Sequence, residues 1–283
     1  MTDLDDVRIS APPRTRLSHP LTVATLNVNG LRNNANRRDL FRHLRSLRFD
    51  IVCLQDVRAS PLDYSQWTRE WDAPAAWTPH LGILLSPRLS LVDSSDAFDG
   101  RTLSVTLQLP SHRIRLVNIY APADRALRGP FFDDLASDTS RFDSFDLLLG
   151  DWNSYPDASV DRVSSNASDR RSPTWPRLAP LLLHHLDAAQ LGHSSSFHTF
   201  VSSSHNTVSR IDHIFLHSDY ADHSLSTTVS PYPHSDHHLL SVRITPPSFS
   251  RPVLPRYNTT LLTNDRLLSL TRSLIPPTLS PVS

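Results

Sequence analysis

The sequence predicts an α/β domain, and three observations carry that expectation. Short apolar runs without polar interruption, LTVATL (residues 21–26), DIVCL (50–54) and LLL (147–149), read as buried strands. Between the first two, residues 37–48 set Leu40, Phe41, Leu44 and Leu47 against arginine and aspartate, the pattern of an amphipathic helix. Strand, helix and strand in that order imply a right-handed crossover and parallel pairing.

Residues 1–20 are polar and interrupted by proline, and read as a loose arm. The first strand ends in Asn27-Val28-Asn29-Gly30, a turn signal, and the second in Gln55-Asp56. Residues 82–85, 102–109 and 113–120 are strand-like, with Pro110-Ser111-His112 as a hairpin link. Residues 130–137 suggest a short helix begun by proline. After LLLGDWN, residues 154–175 lack periodicity and read as a long surface loop, and 177–186 as a helix. Residues 197–201, 209–216, 225–229 and 239–244 are late strands. Beyond Pro246 the chain is Ser/Pro-rich, with a weak helical pattern at 264–275. With no internal repeat, one domain is expected over 21–245, between an arm (1–20) and a tail (246–283).

A length of 283 residues is ample for a deep core, and the formal net charge of zero announces no overall basic field. Arginine and aspartate carry nearly all the charge: there is no lysine, and Glu70 is the only glutamate. Cys53 stands alone, which excludes a disulfide framework and suits a reducing, intracellular compartment. No run approaches the ~18 apolar residues that a membrane span needs.

Polar residues recur at the strand ends: Asn27, Asp56, Tyr120, Asp151 with Asn153, Asp212, and Asp236-His237. Loops beyond strand ends on one edge of an α/β sandwich form its site. Carboxylates, carboxamides and a histidine there suit a hard divalent cation and an anionic substrate. Each residue also has an ordinary reading, Asn27 and Asp151 as turn formers and Asp212 as a surface ion pair with Arg210. The other histidines lack thiolate partners and finger-like spacing for zinc. Arg32, Arg37, Arg38, Arg125, Arg128, Arg170 and Arg171 lie near the expected mouth, as phosphate contacts or as plain surface.

ATLNVNGL, DIVCLQD, VNIYAP, GDWN, SRIDHIFL and SDHHLL resemble, in that order, the motifs of the endonuclease/exonuclease/phosphatase superfamily, which includes deoxyribonuclease I. GILLSP and DGRTLSV resemble its core strands. NVNG, GDWN and the tail RYNTTLLTNDRLLSL resemble most closely the endonuclease domain of non-LTR (LINE-type) retrotransposons, where such a tail leads towards a reverse transcriptase. No polymerase follows here, so the chain reads as a truncated or stand-alone piece. The resemblance implies a four-layer sandwich of two mixed sheets flanked by helices. It also implies a monomeric Mg²⁺-dependent (or Mn²⁺-dependent) endonuclease that nicks DNA, with no membrane partner, in an intracellular, nuclear setting. A reverse transcriptase is the implied partner in the parent element.

By the same resemblance, Asp56 stands where a metal-binding Glu is usual, with Asn27 beside it and Asp236 completing the metal environment. His237 matches the histidine on the scissile phosphate, oriented by Asp212; Asp151 aligns or deprotonates the attacking water. Asn153 and Tyr120 hold phosphate oxygens, and Asn29 and Arg32 bind substrate. Asp56 is one methylene shorter than Glu, roughly 1.5 Å less reach, which weakens the expected activity. Two alternatives stay open: a decayed remnant that only binds nucleic acid, and a small-molecule or lipid phosphatase of the same fold.

Overall fold

The computed structural model describes residues 20–109, 113–164, 174–191, 198–202 and 206–245. The arm, the tail, the 110–112 link, Arg170 and Arg171 lie outside the described residues. In chain order the elements are β1 (Leu21–Asn27), α1 (Asn34–Leu47), β2 (Ile51–Gln55), α2 (Pro61–Trp71), β3 (Ala75–Trp77), β4 (Leu81–Leu85), β5 (Ser90–Ala97), β6 (Thr102–Gln108) and β7 (Arg113–Tyr120). Then follow α3 (Arg125–Ser137), α4 (Thr139–Phe142), β8 (Leu147–Asp151), α5 (Ala158–Asp161), β9 (Arg162–Ser164), β10 (His185–Asp187) and α6 (Ala188–Leu191). Five strands close the described chain: β11 (Phe200–Ser202), β12 (Thr207–Ser209), β13 (Asp212–His217), β14 (Ser224–Pro231) and β15 (His238–Ile244).

Two six-stranded sheets result, in the orders β14-β15-β1-β2-β4-β3 and β10-β13-β8-β7-β6-β5, beside a small sheet β11-β12-β9. Both large sheets are mixed: β1 and β2 pair in parallel, as do β7 and β8, while the remaining pairs are antiparallel. Alternation along each strand explains the layering. Val23, Ile51, Cys53 and Ile83 of one sheet meet Val105, Leu116, Leu149 and Ile214 of the other. The opposite faces, Leu26, Val52 and Leu54, and Val117, Leu148 and Phe215, pack under α1 with α2 and under α3 respectively. The architecture is therefore helix, sheet, sheet, helix. Central strands covered on both faces have no polar side to show, which is why their sequences read as continuous apolar runs.

Several local expectations are corrected. Helix α1 starts at Asn34, because the Asn33 side chain accepts from the backbone N–H groups of Ala35 and Asn36. Helix α2, not foreseen, is opened by a Ser60/Asp63 capping box with Pro61 at its first position. Helix α3 begins five residues ahead of Pro130, capped by Asp124, and carries that proline inside it. Residues 177–186 are not a helix: a 3-10 turn (Trp175–Leu178) leads to strand β10, and Pro180 offers no N–H to continue a helix. The 154–175 loop is not all surface; it holds α5 and β9, with Ser154, Tyr155 and Asp161 buried. Arg37 is no phosphate contact, being buried and paired with Glu70 through its Nε at 2.7 Å.

His185 on β10 is fully buried, with Nε2 donating to the Phe145 carbonyl at 2.9 Å. Burial pulls its pKa from 6.5 down to about 4, so the folded ring is neutral. A depressed value contributes stability fully above the unfolded pKa and loses it as pH falls through the folded one. Chemical denaturation should therefore show about 3 kcal/mol lost from this group between pH 6.5 and 4. His185→Gln, which can still donate to the carbonyl, should flatten that part of the profile.

Candidate active site

The inner faces of both sheets change character toward one end. Below lies the apolar core; above it, Thr25, Gln55 and Asn118 form a buried polar layer. Gln55 Nε2 donates to Thr25 Oγ1 (2.9 Å) and to Asn118 Oδ1 (2.6 Å). Asn118 Nδ2 in turn donates to the carbonyls of Leu54 and Gly82, both at 3.0 Å. This band ties the sheets together directly under the site. Thr25 and Asn118 lie inside their strands, where an isolated polar residue gives no motif signal, and Gln55 closes β2.

One step further along the same faces come the site residues. Tyr120, Asp151 and Asp212 are cross-strand neighbours in one row over β7, β8 and β13, and Asn27 ends β1 across the sandwich. Asp151 is buried. Its carboxylate accepts from Asn27 Nδ2 (2.9 Å), the Asn153 backbone N–H (2.8 Å) and Asn153 Nδ2 (3.3 Å). The chain can turn there because Asn153 is left-handed (φ 48°). Gly150 is required one residue before Asp151: a Cβ would stand 1.9 Å from the Ile119 carbonyl oxygen of the parallel strand. Thus Gly-Asp-Trp-Asn is a strand end shaped to aim a carboxylate, while Trp152 packs edge-on to Phe215 in the core.

His237 sits at the head of β15, its Nδ1 donating to Asp212 at 2.9 Å and its Nε2 standing 3.8 Å from Asp151 Oδ2. The hydrogen bond to Asp212 fixes which ring nitrogen carries that proton. Ser235 and Thr199 hold this pair. Ser235 Oγ donates to the Asn27 carbonyl and accepts from His237 N–H; Thr199 Oγ1 accepts from the backbone N–H groups of Ile211 and Asp212. Neither residue was singled out from sequence, since a lone Ser or Thr in a loop gives no periodic or motif signal. Behind Asp212, Arg210 is not its surface partner but binds Asp161 (2.7 Å) and Asp187 (2.6 Å), and His213 Nδ1 meets Asp187 at 3.0 Å.

Electrostatics follow from this crowding. Burial pushes the Asp151 carboxyl well above the usual carboxylate range, partly offset by His237. For His237, burial works against the charge, but Asp212 and then Asp151 overcome it and hold the imidazolium far above the ordinary histidine value. Burial, with Asp56 and Asp151 nearby, pushes the Tyr120 hydroxyl up to about 12, so it stays a proton donor.

One carboxylate oxygen each of Asp151 and Asp212 and one ring nitrogen of His237 lie within 4.8 Å of one another, close enough to hold a metal ion. Asp56 and Asp236 are not in that cluster. Asp56 is clamped by Arg58, whose Nη2 lies 2.7 Å from its carboxylate and also donates to Asn29 at 2.8 Å. Asp236 is exposed beside His237. Asn29 and Arg32 are exposed on the rim, with Arg32 Nε donating to the Arg58 carbonyl at 2.9 Å. Arg128 reaches the rim from α3, its guanidinium on the carbonyls of Pro122 and Ala123 and within the field of Asp151.

With this geometry in view, a family model described as Endonuclease/Exonuclease/phosphatase family matches residues 24–237, from β1 to the site histidine. The chain belongs to the endonuclease/exonuclease/phosphatase family. Among curated proteins, this family member is 26% identical over 257 residues to the transposon TX1 uncharacterized 149 kDa protein of Xenopus laevis, covering 87% of the chain and 20% of that protein. The chain thus spans about a fifth of the length of that relative. Among solved structures it is similar to a Neisseria 3′ phosphatase, NExo, bound to product DNA hairpin (TM-score 0.66, 17% identity, 79% of this chain and 99% of that one). An AP endonuclease from Archaeoglobus fulgidus matches with the same four figures, TM-score 0.66, 17%, 79% and 99%. The endonuclease domain of TRAS1, a telomere-specific non-LTR retrotransposon, follows at TM-score 0.57 and 14% identity, over 80% of this chain and 98% of that one. These likenesses establish the deoxyribonuclease-I-like sandwich. Among the described residues of this family member, no helix is long and apolar enough to cross a membrane.

Proposed function

We propose that the chain is a divalent-metal-dependent phosphodiesterase that nicks DNA, in the setting of a retrotransposon endonuclease. The observation that carries this reading is the Asp212–His237–Asp151 series, which puts a cationic ring next to a buried carboxylate at the mouth of the sandwich. His237, held as an imidazolium by Asp212, would grip a non-bridging phosphate oxygen and counter the charge that grows on a pentacovalent phosphate. Asp151, raised by burial toward the working range of a base, would orient and deprotonate the attacking water. Tyr120 would donate its hydroxyl to another phosphate oxygen. Asn153, whose amide nitrogen is already given to the Ala121 carbonyl and Asp151, would act by fixing Asp151 as well as by facing substrate.

The donor set is one of carboxylate and carboxamide oxygens with no thiolate, which fits Mg²⁺ or Mn²⁺. Asp56, Asn27 and Asp236 would hold the ion, with Asp151 beside Asn27. Such an ion supplies Lewis-acid stabilisation of the phosphate oxygens. Arg58, Arg32 and Asn29 would then meet the DNA backbone at the rim, Arg58 exchanging Asp56 for a phosphate.

A supercoiled-plasmid assay tests the reading. Open circles should accumulate with Mg²⁺ and stop with EDTA, and no inorganic phosphate should be released from soluble phosphomonoesters. An intact plasmid would favour the decayed remnant, which the short Asp56 arm supports; phosphate release would favour a phosphatase. Asp56→Glu restores the missing methylene, and should lower the half-saturating Mg²⁺ concentration about fivefold. An unchanged metal titration would remove Asp56 from the ion.

A further inference from the structure

The opposite end of β1 carries a second concavity. It has a volume of about 820 Å³ and is lined by Arg45, Arg48, Phe49, Asp50, Arg88 and Arg243, among others. These arginines come from four places in the chain: the last turn of α1, its C-cap, the β4–β5 turn and β15. Two of them are anchored. Arg45 lies over the Trp71 ring, 5.2 Å from its centroid, and donates to the Glu70 and Trp71 carbonyls. Arg88 pairs with Asp50, the one carboxylate in the lining among the described residues, which also accepts from the Thr22 N–H at 2.8 Å. Arg48 and Arg243 are exposed, and among the described residues neither guanidinium has a hydrogen-bond or carboxylate partner. Arginine near a helix C-terminus is favourable for the dipole alone, which accounts for Arg45. It does not account for Arg243 on a neighbouring strand, nor for Arg88.

We propose that this cleft is a second nucleic-acid site, holding a single-stranded phosphodiester segment. Planar guanidiniums bind phosphate oxygens in pairs, and half-buried Phe49 offers an aromatic wall for an unstacked base, which a duplex cannot supply. Concave placement of the charges around one aromatic wall favours nucleotides over an acidic peptide. From Thr22 to Asn27 along β1 is roughly 17 Å, and the two sites open at opposite ends of the sheet. The segment held here is therefore distinct from the one at the catalytic cluster. The site stands without the nicking activity proposed above, although a polymer-handling role for the cleft accords with it.

The test is fluorescence anisotropy of a labelled 12-nucleotide oligo(dT) with the full chain in EDTA. Arg48→Glu/Arg243→Glu should weaken binding at least tenfold and shrink the salt slope by about one to one and a half, as loss of two phosphate contacts requires. Thermal unfolding should be unchanged, both side chains being exposed. Arg48→Lys/Arg243→Lys should keep most of the salt slope. Plasmid nicking should stay within twofold of the parent; a parent that does not nick leaves the anisotropy result standing by itself. Affinity within twofold after charge reversal would overturn the proposal. So would an equal loss for a duplex of the same length, or displacement of the oligonucleotide by oligo-aspartate at equal concentration.

Discussion

Replacing His237 with alanine should slow plasmid nicking about 10³-fold and also lower the unfolding midpoint, so the rate is read at a temperature where the variant stays folded. The ring is the one cation in the Asp151–Asp212–His237 cluster, and removing it leaves two buried carboxylates facing each other without it. Asp151→Ala should cost a similar factor by removing the base. Asp212→Asn should cost less than either, since the amide keeps a polar neighbour for Nδ1 but removes the charge that holds the ring protonated. The pH profile separates these roles. On the proposed roles, activity needs Asp151 deprotonated, and burial raises that carboxyl, so the acid limb should lie above the ordinary carboxylate range. It also needs His237 protonated, and its acidic neighbours raise it, so the alkaline limb should lie above the ordinary histidine value. An acid limb at the ordinary carboxylate value in single-turnover measurements would contradict the first assignment, and an alkaline limb at the ordinary histidine value the second.

Arg210→Met should destabilise the fold by about 3–5 kcal/mol, read from urea unfolding at pH 7. The guanidinium is buried between Asp161 and Asp187, and methionine leaves both carboxylates desolvated without their cation. Burial alone would raise Asp187, yet Arg210 and the His213 hydrogen bond bring it down to about 2. A depressed carboxyl contributes stability above its unfolded pKa and loses it only as pH falls through the folded value. The network therefore holds through the mildly acidic window in which His185 gives way. A loss under 1 kcal/mol would mean that water or a neighbouring group takes over from Arg210. Because Arg210 precedes Ile211 and Asp212, the same variant should also loosen the histidine's partner.

Much of this arrangement is written locally in the sequence. Strands such as Ile51–Gln55 and Leu147–Asp151 announce themselves because both faces are covered and little in them is polar. Asn27, Tyr120, Asp151, Asp212 and His237 were legible as strand-end polar residues, and the sheet register brings Tyr120, Asp151 and Asp212 into one row. What escaped depends on long-range partners. Asp161 is drawn inward only because Arg210, 49 residues later, awaits it, so its loop looks like plain surface when read alone. Helix α2 hides its pattern in Tyr64, Trp67 and Trp71, spaced at three and four, which read singly as scattered aromatics. The Asp56–Arg58 clamp is likewise invisible in composition, since it needs both loops zipped by the Gly30 to Asp56 and Leu31 to Val57 backbone bonds.

The pairing of β1 with β15 bears on biosynthesis. Leu21 lies opposite Ile244, so the first described strand keeps one edge bare until the last described strand emerges. A bare strand edge is a template for mispairing. Nascent chains ending before residue 237 would lack both that seal and the His237 ring that completes the cluster with Asp151 and Asp212, so sheet closure and assembly of the cluster arrive together.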